Sequence, residues 1–407
     1  MNRVVITGVG SVTPHGLGVK ALWDGIEAGT CAIGPVPWLA DAPIMFRNGG
    51  AVPGYEINAH FTAGQIMLLD RATQFALLAA REALAMANLG LSEEESERAA
   101  VYIGTATGGS ESVNHGYHEL YVANSPTLPP LTVPRAMNNA AASQISLEHQ
   151  LRGPALTIST ACASSTQAIG EAFRLLRSGE IDVAVAGGTD ACLNAFTWKA
   201  WEAIRAMAPD TCRPFSKSRR GMILGEGAGV LVLETRQRAL ARGAVILAEL
   251  AGYAVNSDAQ DIVKPSVAGA SRAMRDALRH AGIAPREVSY INAHGTGTPL
   301  NDRCETAAIR AVFGDHADWL AVSSVKSSVG HLMGAAGAVE LIAALMAYGR
   351  DTLPPTMNYQ SADTECDLDY VIEGARKQET DVIVKNSFAF GGLNTSLVMR
   401  KHGTTAQ

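Results

Sequence analysis

None of the six cysteines forms a CxxC pair: Cys31, Cys162, Cys192, Cys212, Cys304 and Cys366 are scattered along the 407 residues. That spacing excludes a cysteine-rich zinc site and a disulfide framework, and it fits a reducing, cytoplasmic compartment. Nor does any apolar run reach the ~20 residues that a bilayer-spanning helix needs. The most apolar stretch, MGAAGAVELIAALMAY, is broken by Glu340 and is expected to be a buried helix, so no membrane partner is expected. The early run VVITGVGSVTP is too short and too rich in β-branched residues for a signal-peptide core. A basic stripe is missing as well, and the net charge of -6 gives no reason to expect nucleic acid. Charged residues make up only 18% against 47% hydrophobic, with 40 glycines, the profile of a well-packed α/β protein with many tight turns.

What is present alternates. β-Branched runs at 2–8, 100–104, 155–159, 181–187 and 229–234 alternate with helix-period segments near 17–28, 70–88, 136–149, 163–178 and 235–242. A second series comes after it, with strands expected at 246–254, 288–293, 319–324, 382–388 and 395–400 and helices at 268–282, 302–313 and 334–348. The segments ALTISTACASSTQAIGEAFRLLRSG and WLAVSSVKSSVGHLMGAAGAVELIAALMAYG share one plan of strand, small-residue turn and long helix. No low-complexity linker separates the two series, so two similar halves, 1–240 and 241–407, are expected in one body, with a polar tail from His402.

After Cys162, residues Ile169, Ala172, Phe173 and Leu176 recur at helical spacing, which sets the cysteine at a helix start. Free N–H groups there favour a thiolate, although a lone cysteine in such a place is more often ordinary packing. Two further segments tilt the balance. INAHGTGTPLND puts His294 just past a strand, and SSVKSSVGHLMGAAGAVE puts Lys326 and His331 in a second strand-to-helix crossover. Polar residues at C-terminal strand ends are where α/β active sites lie, and two neutral imidazoles can donate N–H groups to an enolate oxygen. The other eight histidines, His115 and His118 included, sit in less telling contexts.

Seven ordered segments, VVITGVGSVTP, LRGPALTISTACASS, DVAVAGGTD, PFSKSRRGMILGEGAG, NAHGTGTPLND, VKSSVGHLMGAAGAVE and NSFAFGGLNTSLVMRK, resemble those of β-ketoacyl-[acyl carrier protein] synthases, elongating enzymes of the thiolase superfamily. The resemblance implies a thiolase-like five-layered αβαβα fold, usually dimeric, either as a homodimer or with a chain-length-factor-like partner. It implies an acyl carrier protein as partner, fatty acid or polyketide synthesis as setting, and no cofactor beyond the phosphopantetheine of the carrier. It makes Cys162 the nucleophile, His294 and His331 the groups that hold the malonyl thioester oxygen, and the N–H groups of Cys162 and Phe390 an oxyanion hole. Lys326 and Glu340 would be a supporting charged pair. Thr296 and Thr298 would bond the phosphopantetheine arm, Phe390 would gate the acyl pocket, and Thr107 and Phe215 would lie along substrate passages. Asp302 and Glu305 would order the histidine loop or cap the helix after it.

The chain also departs from the family pattern. Ala389 stands where relatives carry a gate-loop glycine, which implies altered gate motion. Arg220 and Met222 replace an aspartate and an aromatic. TAGQIMLLD holds no lysine or arginine from Phe61 to Leu69, where relatives present a basic helix to the carrier. Docking is then expected to fall to Lys217, Arg219 and Arg220, to Ile66, Met67 and Leu68, or to a partner subunit. A non-catalytic tunnel-shaping subunit is the competing reading, disfavoured because such subunits lack the cysteine. A thiolase would need a second reactive cysteine in NSFAFGGLN, and a priming synthase would not carry His331.

Overall fold

In the computed structural model residues 1–403 are described, and the part of the expected polar tail at 404–407 lies outside the described residues. Eleven strands build the main sheet: Val4–Thr13 (β1), Ala99–Gly104 (β2), Ala155–Ile158 (β3), Val183–Asp190 (β4), Gly227–Thr235 (β5), Ala248–Ser257 (β6), Tyr290–Asn292 (β7), Ala321–Ser323 (β8), Asp369–Tyr370 (β9), Val382–Ala389 (β10) and Leu393–Arg400 (β11). Their spatial order is β9-β8-β7-β10-β11-β6-β1-β5-β4-β2-β3, with the two-residue Gly16–Leu17 folded back on β1. Five helices cover the sheet or position the pocket: Arg71–Ala87 (α1), Ser164–Ser178 (α2), Val267–Ala281 (α3), Pro299–Phe313 (α4) and Ala336–Ala344 (α5).

The sheet order exposes a duplication. With the short β9 set aside, each half arranges its five strands as third, second, fourth, fifth, first. The senses repeat too: β2 runs parallel to β3 and β4 as β7 does to β8 and β10, and the remaining pairs in each half are antiparallel. The halves join where β1 and β6 pair antiparallel, Val4 opposite Leu250 and Ile6 opposite Ala248. Even a bulge recurs, with Thr7 of β1 and Ala251 of β6 as the extra residue. The next residue is glycine in both. A Cβ at Gly8 would stand 2.1 Å from the Ala83 carbonyl oxygen, and one at Gly252 would stand 2.3 Å from that of Ala277, so close approach of the outer helix demands glycine twice.

Helix α1 covers β1 and β5 from one outside face, and α3 covers β6 and β11 from the other. Helices α2 and α5 lie between the two halves of the sheet, in contact with each other and with strands of both halves. This is the five-layered thiolase-like αβαβα arrangement. All nine residues of α5 are buried, as a middle layer requires. The two middle helices approach so closely that a Cβ at Gly337 would lie 1.8 Å from Thr166 Oγ1.

The expected elements shift in detail. The 136–149 segment divides into Thr132–Ala136 and Ala140–His149, and α5 breaks before a last turn at Met346–Gly349. Helix Ser110–Tyr121 has no counterpart in the sequence pattern, because SESVNHGYHELY is largely polar and has no continuous apolar stripe. Among the described residues no helix is long and apolar enough to cross a membrane.

Candidate active site

Three strand ends converge on one pocket of about 350 Å³, lined by Cys162, His294, His331, Thr296, Thr298, Phe388 and Phe390 among others. Past β3 the chain turns through Ala161, whose φ of 49° is left-handed, and then through a 3-10 turn at Ala161–Ala163 before α2 begins. A residue with a Cβ pays roughly 1–2 kcal/mol for that conformation. Ser164 holds the turn: its hydroxyl donates to the Ala161 carbonyl at 2.6 Å and accepts the Thr160 N–H at 2.9 Å. The result is a sharp elbow with Cys162 at its tip, 6% exposed.

His294 follows β7. Its backbone N–H and that of Gly295 donate to the two carboxylate oxygens of Glu305, each at 2.8 Å, while Asp302 accepts the N–H of Gly297 at 3.3 Å. Both carboxylates come from α4, so they do order the histidine loop. His331 follows β8 and the short helix Lys326–Val329. Its Nδ1 accepts the Met333 N–H at 3.2 Å, which leaves the proton on Nε2, a buried atom with no partner among the described residues. Lys326 Nζ donates to the His294 carbonyl at 2.7 Å and stands 3.4 Å from its Nδ1, so this ring too presents Nε2–H. The two rings lie 5.7 Å apart at 83°.

Burial pushes both imidazoles well below their usual range, and the Lys326 ammonium pushes them further. They are neutral donors at physiological pH. The cysteine differs from the thiolate expected at a helix start. Burial drives its thiol up to about 12, and the opposing Lys326 charge does not offset it. That shift corresponds to about 4 kcal/mol, whereas a helix N-terminus supplies at most about 2 kcal/mol. Moreover, Cys162 sits in the 3-10 turn, before the helix proper. Desolvation wins, and the resting group is a thiol.

Behind the histidines lie charges that water does not reach. Lys326 Nζ is 2.6 Å from Glu340 Oε1, both side chains buried, as the charged pair was expected to be. A second lysine, Lys385, shares the same carboxylate at 2.8 Å from Oε2.

Thr296 and Thr298 both line the pocket, with their hydroxyls 2.8 Å apart. Phe390, 36% exposed, closes one side and stacks on Trp201 at 5.5 Å. Ala389 ends β10 opposite Leu393 in extended backbone, and the positive φ values of the gate belong to Gly391 (87°) and Gly392 (69°). The hinge therefore lies two and three residues beyond the alanine, at Gly391 and Gly392, and the alanine does not strain it. Two candidates stand outside this pocket. Phe215 is fully buried, stacked 4.2 Å from Tyr370 with its N–H on Asp302, and does not reach the pocket. Thr107 does not line the pocket either, since its hydroxyl and N–H both donate to Asp190. Met222 is buried against the pocket wall, and Arg220 is exposed at the mouth.

Three residues escaped the sequence reading. Asp190 ties the loop after β2 to the second crossover, accepting N–H groups from Ala106 at 2.9 Å and from Gly334 at 2.5 Å. Its signal was the acidic end of an otherwise apolar strand, DVAVAGGTD. Trp201 had no distinguishing pattern. Lys385 did have one, a lysine in the middle of the buried run VIVKNSF.

A thiol at a strained elbow, opposite two N–H donors at the seam of a duplicated αβαβα fold, is the equipment of thiolase-like enzymes that make and break thioesters. Residues 1–239 match the β-ketoacyl synthase N-terminal domain and residues 247–360 match the C-terminal domain, so the chain belongs to the β-ketoacyl synthase family and is an acyltransferase. It is 42% identical over 402 residues to nodulation protein E of Rhizobium sp. (strain N33), covering 98% of this chain and 99% of that protein. It is 38% identical over 408 residues to 3-oxoacyl-[acyl-carrier-protein] synthase 2 of Synechocystis sp., covering 98% of each. Among solved structures it is similar to the ishigamide ketosynthase/chain length factor, with a TM-score of 0.93, 35% identity and coverage of 99% of this chain and 100% of that one.

Proposed function

We propose that this enzyme elongates carrier-bound acyl chains by decarboxylative Claisen condensation, with Cys162 as nucleophile. The observation that carries this is the meeting of one thiol and two Nε2–H imidazoles in a single pocket. In the first half-reaction the Cys162 sulfur attacks the acyl thioester. The N–H groups of Cys162 and Phe390 hold the tetrahedral oxyanion, and the cysteine proton leaves with the departing carrier thiol, so a protonated resting cysteine needs no dedicated base. In the second, malonyl thioester loses CO2. The electron pair released becomes an enolate, whose oxygen accepts from His294 and His331, and whose carbon attacks the acyl group on Cys162. Collapse expels the cysteine sulfur, which regains a proton from water. Thr296 and Thr298 are assigned to the phosphopantetheine arm, and Phe390 to the gate. Fatty acid or polyketide synthesis in the cytoplasm is the setting, and no resident cofactor is needed.

Carrier docking must do without a basic helix at 63–68, and Arg219 cannot replace it, being buried and paired with Asp363 and Asp302. Arg205, Arg220 and Lys264 are exposed around the pocket mouth, with no carboxylate within 4.0 Å among the described residues, and we assign the acidic carrier to them. A partner copy or chain-length-factor-like homologue is supported by β3, an edge strand whose Leu156 is 49% exposed, beside exposed Val133 and Leu147. The test is reconstitution: purified protein, acyl carrier and malonyl carrier should yield a β-ketoacyl carrier two carbons longer plus CO2. Turnover only after a homologous subunit is added selects the heterodimer, and no product with either arrangement contradicts the reading.

A further inference from the structure

Strand β10 reads VIVKNSFA, and all of it except the last residue is buried, the lysine included. A lysine there costs several kcal/mol of desolvation unless a partner compensates. Its partner is already occupied. Glu340 Oε1 meets Lys326 Nζ at 2.6 Å, and Oε2 meets Lys385 Nζ at 2.8 Å. The Lys385 contact is an ion pair off the hydrogen-bond direction, and its ammonium donates to the Asn386 carbonyl and, at 3.4 Å, to Ser387 Oγ.

Two ammonium groups on one carboxylate leave a residual positive charge. Were Lys326 and Glu340 alone, the carboxylate would cancel most of the lysine field at His294 Nδ1, 3.4 Å away. Sharing Glu340 with Lys385 removes part of that cancellation. Resting on the function proposed above, we infer that Lys385 is a positioning residue for the enolate half-reaction: by taking the second oxygen of Glu340 it leaves Lys326 charged toward His294, and so keeps the two imidazoles as neutral Nε2–H donors.

The groups facing His294 are consistent with this. Lys326 touches its Nδ1, His331 lies ring to ring, Lys385 stands beyond Glu340, and Glu305 of α4 is spent on two backbone N–H groups and on Asn386 at 3.3 Å. After burial, the charges that lower His294 are Lys326, His331 and Lys385 in that order, and those that lower His331 are Lys326 and Lys385. At Cys162 the Lys326 charge is opposed by the Asp190 and Glu340 carboxylates, so the acylation half-reaction is expected to depend less on Lys385 than the enolate half-reaction does.

The experiment compares wild-type protein with Lys385→Met in the full chain, first by 15N-histidine NMR as a function of pH. His294 and His331 should begin to protonate about one pH unit higher in the variant. The acid-side loss of turnover should move up by about the same unit, with KM for malonyl carrier unchanged within about twofold, while single-turnover acylation of Cys162 stays within about twofold of wild type. A folded variant whose histidines titrate as in wild type overturns the inference, as does equal loss in both half-reactions. Lys385→Gln, which keeps a donor without the charge, replaces the methionine variant if that fails to fold. The NMR arm reads the inference even if wild-type protein makes no β-ketoacyl product, a result that would sink the proposed reaction instead.

Discussion

The two strand-to-helix crossovers are copies of one device put to different uses. In the first, Ala161 at φ 49° opens a 3-10 turn and α2 follows; in the second, Met333 at φ 49° opens a 3-10 turn and α5 follows. Cys162 follows the first left-handed residue and Gly334 the second. At the cysteine the elbow tip points a reactive atom into the pocket. At Gly334 the tip is bare, because a Cβ would come within 2.5 Å of the Ala106 nitrogen and 2.6 Å of an Asp190 oxygen. The chemistry of the second crossover has moved upstream to Lys326 and His331. Duplication thus gives equivalent scaffolds, and function is set by which position of each carries the reactive group.

Breaking the histidine side should produce the largest loss. His331→Ala is expected to lower condensation about 10²–10³-fold, the usual cost of an oxyanion donor, while acylation of Cys162 measured by mass spectrometry persists. Equal loss of both steps would mean that the two crossovers are not separable. The cysteine side is sharpened by pH: with burial holding the thiol up near 12, iodoacetamide alkylation of Cys162 should rise about tenfold per pH unit between pH 7 and 10. A plateau near neutrality would restore the helix-start thiolate. Gly334→Ala should cost about 2–4 kcal/mol in chemical denaturation, through overpacking at Asp190. The smallest effect is at the matching elbow, where Ala161→Gly should relieve left-handed strain of about 1 kcal/mol, offset in part by a more flexible unfolded chain.

Much of this layout was legible. The apolar alternation located every long strand, and the strand-turn-helix likeness of the TACASS and SVGHLMG segments foretold the duplication that the sheet order and the Gly8 and Gly252 contacts make explicit. His294, His331 and Cys162 were readable because each lies in the segment that leaves the C-terminal end of a strand. What sequence could not supply was depth. The pull of burial against helix dipole at Cys162 depends on packing from the other half, and the closed environment of Phe215 depends on Tyr370, 155 positions further along. Lys385 stood in plain view within VIVKNSF, yet its meaning requires knowing that Glu340 already had a partner. Thr107 likewise reads as a passage residue until Asp190 is seen to claim it.

The most direct measurement tracks malonyl carrier by mass spectrometry in Cys162→Gln protein, where the sulfur elbow is disarmed and the histidine crossover is untouched. Decarboxylation to acetyl carrier should continue with no β-ketoacyl product. Condensation by that variant, or a folded variant unable to decarboxylate, would contradict the division of labour between the two elbows.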